Sequence, residues 1–244
     1  MGGLIDIARK IELFCYDALG SKMNFKKIGG AEGSNPGGWY RGTDSLQYYF
    51  KFYPNENNAR IEFVANVIYR KLGIYAPDSR LLKAENGALA IISPKLFGAR
   101  RTTKEEQKNH PDVLLGFVAD CYLNNWDVVG EFFDNIIKSD DNHFYRIDNG
   151  GCGPIRAQGK DKTFSSDEIP ELVDMRNPKF QAGEVFCDIS EDEIKRQAKI
   201  IVGTLTEDTV KELVERSGLQ GEVKEKLERG LLGRLAVLKS RYGL

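Results

Sequence analysis

The sequence predicts an α+β chain in two lobes, a small strand-containing N-lobe over residues 1–95 and a mainly helical C-lobe over 96–244. Three observations carry this. Aromatic and aliphatic runs of strand length, separated by Gly and Asn turns, gather before residue 95. From residue 112 onward the apolar residues recur with a helical period. Between them lies a polar stretch, LFGARRTTKEEQKNH (96–110), suited to a connection or lid, which puts the hinge near 93–98.

Taken in order, Leu4, Ile7, Ala8, Ile11, Phe14, Cys15, Ala18 and Leu19 have helical spacing, with Gly20 as a stop. FKKIGGAEGSNPGGWYRG (25–42) is too rich in Gly for a regular element. SLQYYFKFY (45–53) reads as a strand. PNENN (54–58) is a turn, and Asn58 is the expected N-cap of a helix ending at Gly73. SRLLKAE (79–85) and GALAIIS (87–93) form a hairpin about Asn86-Gly87. VLLGFVADCYLNNW (113–126) is helical and nearly all apolar as far as Asn124. GKDKTFSSDEIP (159–170) is a loop. Ser190 with Glu193 makes a capping box, Thr206 caps the next helix and Gly218 stops it, and residues 222–243 form a last amphipathic helix.

The composition is that of an ordinary globular chain, with 244 residues, 41% hydrophobic and 29% charged. A net charge of −1 gives no general attraction to nucleic acid or to anionic membranes. Four Cys without a CxxC pair, and two His, indicate neither a zinc site nor a disulfide framework. A reducing, cytoplasmic setting is expected. No run approaches the roughly 20 apolar residues of a membrane span, and the charged N-terminal segment lacks the apolar region of a secretory signal. The chain is expected to be soluble. Nothing points to an obligate oligomer.

The chemistry gathers in a few motifs. GSNPGG (33–38) precedes a strand, and Gly lets backbone N–H groups approach a phosphate closely, although a plain turn has the same composition. No GK[ST] follows, so it is not a Walker loop. Lys51 lies in the next strand, where it either points to solvent or grips a phosphate. Glu62, eleven residues on and in a helix, can pair such a lysine or simply favour the helix dipole; Glu56 is a nearby alternative. Asp127, in NNWDVVGEFFDN (124–135), follows an apolar helix and can orient a hydroxyl or accept its proton. Asn135 and Asp148, the latter in RIDNGG (146–151), offer hard oxygens to Mg²⁺. The plain readings are a helix end, an Asx turn and a β-turn. Arg100, Arg101, Lys104 and Lys108 form a basic cluster after the hinge, read as a solvated loop in preference to a docking site. Arg156 either contacts a phosphate or fixes the segment after the DNGG turn.

In this order the motifs resemble the protein-kinase superfamily. There the catalytic Asp is followed by Asn about five residues later and by the metal Asp of DFG. Here Asp127 to Asn135 is eight and Asn135 to Asp148 thirteen, Asn125-Trp126-Asp127 stands for His-Arg-Asp, and Asp148-Asn149-Gly150 stands for DFG. No APE motif is present. The chain therefore resembles the atypical branch that includes phosphoinositide kinases, actin-fragmin kinase and HipA-type kinases. More narrowly it is similar to bacterial and phage-associated kinase-like domains, through GSNPGGWY, LGIYAP (72–77), NWDVVGEFFDN, RIDNGG, IRAQG and MRNPKFQAGEVF (175–186). The likeness spans roughly residues 28–240.

The resemblance implies a two-lobed kinase-like fold, with ATP and Mg²⁺ as cofactors. Gly33, Ser34, Asn35, Gly37 and Gly38 would cover the phosphates. Lys51, oriented by Glu62, would hold them. Adenine would lie against Ile92–Lys95. Asp148 with Asn135, or with Asp134 in its place, would hold Mg²⁺, and Asp127 would act as base. A protein hydroxyl is the first choice of acceptor, in the manner of a bacterial effector. The alternatives are a lipid or small-molecule acceptor, transfer of AMP, or a nucleotide-binding interaction module without catalysis.

Overall fold

A computed structural model describes residues 2–244. The first part of the chain runs α1 (Gly2–Arg9), β1 (Glu12–Tyr16), β2 (Lys22–Lys27), β3 (Gly37–Gly42), β4 (Gln47–Lys51), α2 (Glu56–Lys71), β5 (Arg80–Ala84) and β6 (Leu89–Pro94). The six strands close into an antiparallel barrel in the order β1-β2-β3-β4-β6-β5, sealed where Cys15 of β1 pairs with Ala84 of β5. Closure leaves no unpaired edge. Strand alternation sends Leu13, Cys15, Phe25, Tyr40, Phe50 and Ile92 inward. Phe25 meets Phe50 edge-on at 4.8 Å between ring centroids. Ile7 and Ala8 of α1 join this core, and the Ala8 carbonyl accepts from the Tyr40 hydroxyl at 2.9 Å.

Two sequence expectations fail here. The helix read over 4–19 stops at Arg9, and Glu12–Tyr16 is a strand. Ile11 and Leu19, which the helical reading placed on an apolar face, are 70% and 92% exposed. Pairing on both sides of β1 outweighs the helical spacing of a short run. The Gly-rich segment read as irregular over 25–42 contains the end of β2 and all of β3. The Asn86-Gly87 hairpin forms as read, with Leu82 opposite Ala90. Helix α2 starts earlier than expected. Asn55 is its cap, accepting from the Asn57 amide at 3.0 Å, which leaves Asn58 inside the first turn.

The chain continues with β7 (Arg100–Arg101), α3 (Lys104–Asn109), α4 (Pro111–Leu114), α5 (Phe117–Tyr122), β8 (Ile136–Lys138), β9 (Phe144–Arg146), a 3-10 turn (Asn149–Gly151), α6 (Glu171–Asp174), α7 (Gln181–Phe186), α8 (Glu191–Thr204), α9 (Glu207–Arg216) and α10 (Gly221–Tyr242). The apolar run 113–126 is two helices, broken at Leu115-Gly116. Two side chains fill the break: Gln197 bonds the Val118 amide and the Leu114 carbonyl at 3.0 and 2.9 Å, and Arg146 enters beside it. The buried Arg146 guanidinium donates to the Asp112 and Val113 carbonyls at 3.1 and 2.7 Å, acceptors that an unbroken helix would use itself. A Cβ on Gly116 would lie 2.2 Å from that guanidinium.

Ser190 and Thr206 cap α8 and α9 as read, accepting from the Glu193 and Thr209 amides at 3.2 and 3.1 Å. The Glu193 carboxylate turns to Arg196 and Gln197 and does not complete the box. The main core does not part at residue 95. Ile61, Val64, Ile68 and Tyr69 of α2 share it with Phe117, Tyr122, Ile201, Leu231 and Leu238. The four cysteines are free thiols. Among the described residues no helix is long and apolar enough to cross a membrane.

Candidate active site

Lys51 ends β4 with its side chain on the outer face of the barrel, because its neighbour Phe50 faces inward. Helix α2 presents Glu62 to it, and the Lys51 ammonium bonds both Glu62 oxygens at 3.0 and 3.1 Å. Glu56, the alternative partner, instead meets Arg60 at 3.5 Å and the Leu89 amide at 3.3 Å. The same ammonium contacts the Asp148 carboxylate and the Tyr53 hydroxyl. Burial works against the charge on Lys51, but Glu62, Tyr53 and Asp148 outweigh it and hold the ammonium charged well above its ordinary range. Sequence reasoning missed Tyr53, which donates its hydroxyl to Glu62.

The twelve residues between Asn135 and Asp148 are the length of a hairpin. Strands β8 and β9 pair Ile136 with Arg146, and the Ile147 amide donates to the Asn135 carbonyl at 2.9 Å, which sets Asn135 beside Asp148. Asp148 itself is left-handed, at φ 58° and ψ 39°, and it opens the 3-10 turn. That is an uncommon conformation for a non-Gly residue, and one that Asp tolerates better than most. Lys51 holds the Asp148 carboxyl below its ordinary value against the opposing effect of burial. The Asn135 amide nitrogen donates to the Asp127 carbonyl at 2.7 Å, so its amide oxygen is the atom that could meet a metal. The carboxylate of Asp134 folds over Gly130 and lies 4.0 Å from Arg101. Partial burial first, then the negative charges of Asp148 and Asp134, push the Asp127 carboxyl above its ordinary value.

The donor set suits Mg²⁺. Asp148 supplies an ionised, solvent-accessible carboxylate and Asn135 an amide oxygen, both hard ligands. Among the described residues no three His, Cys, Asp or Glu side chains converge on one point. An ion shared between two protein oxygens, phosphate and water needs no such cluster.

The Gly motif divides. Gly33, Ser34 and Asn35 lie in the bend before β3, whereas Gly37 and Gly38 are strand residues. A Cβ on Gly37 would stand 1.9 Å from the Phe50 carbonyl oxygen, and Gly38 has φ +142°. Barrel packing therefore explains these two glycines without a phosphate. Gly37 does pair with Lys51, so the bend lies next to the ammonium along the ladder. The Ile92 side chain departs from expectation, being buried in the barrel core opposite Phe50. Ile91 and Ser93, its neighbours, take the face of Lys51 and Tyr49. Lys95 reaches Gln47 at 3.1 Å and lies over Trp39, whose ring meets Tyr49 at 5.0 Å. Trp39 and Tyr49 were not anticipated. Their signal was the period-2 alternation that puts them on the face of Lys51.

Lys162 was also missed. Its ammonium donates to the Asn124 carbonyl at 2.5 Å and to the Gly151 carbonyl, tying the Asp127 loop to the Asp148 turn, and burial pulls it down to about 8. Beside Asp127, Trp126 meets Phe180 edge-on at 5.5 Å and Gln181 donates to the Glu131 carbonyl at 2.5 Å. Phe132 and Phe180, flanking that bond, are 75% and 46% exposed. The basic cluster after residue 99 is not free charge. Arg100, Lys104 and Lys108 meet Glu106, Glu184 and Asp188 at 2.5, 2.7 and 2.9 Å. Arg156 contributes its carbonyl, which accepts from Asn58 at 2.9 Å.

No known family profile matches the sequence, and no curated protein does. Solved structures do match. The Helicobacter pylori proinflammatory kinase CtkA superposes with a TM-score of 0.59 at 16% identity, over 89% of this chain and 95% of that one. The fold is kinase-like. A second match is the N-terminal 618-residue fragment of Legionella pneumophila LepB, with a TM-score of 0.54 at 12% identity, over 84% of this chain and 45% of that fragment.

Proposed function

We propose that the chain is an ATP- and Mg²⁺-dependent phosphotransferase acting on a protein hydroxyl. The observation that carries this is the convergence of Lys51, Glu62 and Asp148, brought from β4, α2 and the turn after β9 onto one ammonium. A lone structural lysine needs one carboxylate. Two carboxylates, one buried in a helix and one left accessible, leave an anionic position for a metal once a phosphate takes up the lysine.

In this reading Lys51, held extended by Glu62, grips the phosphates, and the Gly33–Asn35 bend lies above them. The outer barrel face of Trp39, Tyr49, Ile91 and Ser93 takes the base. Asp148 and Asn135 would hold Mg²⁺, which would neutralise phosphate charge. Asp127 orients the acceptor hydroxyl. Its oxygen bonds to the γ-phosphorus, the bond from that phosphorus to the β–γ bridging oxygen breaks, ADP leaves and the proton passes to the Asp127 carboxylate. The raised carboxyl of Asp127 makes it a better base than an ordinary aspartate. Exposed Phe132 and Phe180 beside Asp127 favour a protein acceptor, since they offer apolar contact to residues flanking the hydroxyl. The test is the thermal shift of the purified protein with ATP, with and without Mg²⁺, and the mass added to an acceptor. Stabilisation that needs both, with a phosphoryl adduct, supports the reading. An adenylyl adduct, or no shift, overturns it.

A further inference from the structure

On α2, Asn58, Glu62, Asn66 and Tyr69 are spaced four, four and three residues apart, and so share one face of the helix. Glu62 uses that face to hold Lys51. The other three use it to hold the segments that carry Asp148 and Asp127. Asn149, directly after Asp148, donates to the Asn66 side-chain oxygen at 2.8 Å and to the Arg146 carbonyl at 3.2 Å. Asn125, two residues before Asp127, donates to the Asn149 oxygen and to the Tyr69 hydroxyl, both at 3.0 Å. The Tyr69 hydroxyl donates to Asp120 at 2.8 Å, and Asp120 pairs with Arg146 at 2.7 and 2.9 Å. Asn66 donates to Ser79 at 2.7 Å, and Asn58 donates to the Gly150 and Arg156 carbonyls at 2.7 and 2.9 Å.

The amide protons of Asn58, Asn125 and Asn149 are all used, and these three residues and Asn66 are at most 2% exposed. A buried network so fully matched has one direction and one arrangement. Apolar side chains of this size would fill the same space without fixing either. We propose that Asn66, Asn125 and Asn149 are positioning residues that hold the Asp148 turn and the Asp127 loop against the Glu62 helix. The site is thereby assembled without an ordering event, such as phosphorylation, in the segment that follows. The proposal rests on the phosphotransferase reading above.

The test compares the wild type with Asn66→Leu, which removes the acceptor for Asn149, and with Asn66→Asp. The aspartate keeps an oxygen for Asn149 and lets the Ser79 hydroxyl donate in its turn. Hydrogen exchange is followed at Cys152 and Gly153, whose amides bond the Asn149 and Leu123 carbonyls. In Asn66→Leu those amides are expected to exchange about tenfold or more faster, with α8–α10 unchanged, because the opening is local. ATP turnover is expected to lose about tenfold or more in kcat, with KM for ATP within about twofold, the pattern of lost positioning. Asn66→Asp, which keeps the acceptor for Asn149 but buries a carboxylate one turn from Glu62, recovers part of both losses relative to Asn66→Leu, and phosphatase-treated wild type keeps its rate. Unaltered exchange in Asn66→Leu, protection lost evenly over the whole chain, or inactivation by phosphatase would overturn the proposal. If the wild type transfers no phosphate, the kinase reading falls by itself. The exchange comparison, made without nucleotide, then decides the positioning claim.

Discussion

At the residue scale, three carboxylates near Lys51 and Asp127 have three different surroundings. Glu62 is buried against Lys51 and Tyr53. Asp148 is accessible and kept ionised by the same lysine. Asp127 is pushed the other way, by partial burial and by its acidic neighbours. Substitutions separate the roles. Asp148→Ala is expected to abolish Mg²⁺-dependent turnover, while Asp127→Ala lowers it about 10²–10⁴-fold, the range of a lost general base; initial rates under saturating ATP measure both. The acid side of the pH profile follows from the sign of the Asp127 shift. If Asp127 is the base, activity requires its ionised form and is expected to rise with pH through a value above that of an ordinary aspartate. Removing the nearby negative charge with Asp134→Asn lowers that value and moves the acid limb to lower pH. A limb that stays in place, or moves up, would contradict the assignment of Asp127 as base.

Packing decides the glycine motif at the scale of elements. Gly37→Ala places a methyl group against the Phe50 carbonyl, and the barrel is expected to lose about 1–3 kcal/mol, as overpacked sites do. Gly33→Ala meets open space within 4 Å and leaves stability unchanged. Urea denaturation of the two variants checks this contrast. It also marks how far the sequence could be read. The Asn-Gly hairpin, the caps of α8 and α9 and the turn at DNGG were legible because each rests on local chemistry within a few residues, whereas the pairing of Lys51 with Glu62, eleven residues apart, was legible only through the resemblance. The first strand was not. Glu12–Tyr16 fits a short helical period as well as an alternating one, and only its pairing with β2 and β5, the latter some seventy residues away, settles the matter. The break between α4 and α5 depends on Gln197 and Arg146, and the inward turn of Ile92 on the register of β4 with β6. The asparagine stripe of α2 was visible in the sequence as a helical period. Buried polar stripes carry no periodic signal that sets them apart from solvated ones until the segments that meet them are known.

Across the whole molecule, the barrel keeps a core of its own, while α2 shares the main core of the helices and is tied to them by buried polar groups as well. Arg146 and Asp120 are fully buried, and with Tyr69 they tie α2, α5 and β9 together. Arg146→Met would leave Asp120 buried and unpaired, at a cost of about 3–5 kcal/mol. Calorimetry should show that loss, and Arg146→Met with Asp120→Leu should recover much of it. The chain as a whole has the fold of a kinase, and the convergence on Lys51 is the part of it that argues for transfer of phosphate. The measurement that tests this most directly is incubation of the purified protein with γ-labelled ATP, Mg²⁺ and a cell lysate, beside Asp148→Ala. The account predicts label on discrete protein bands with the wild type only. Label absent from both, or equal in both, would contradict it.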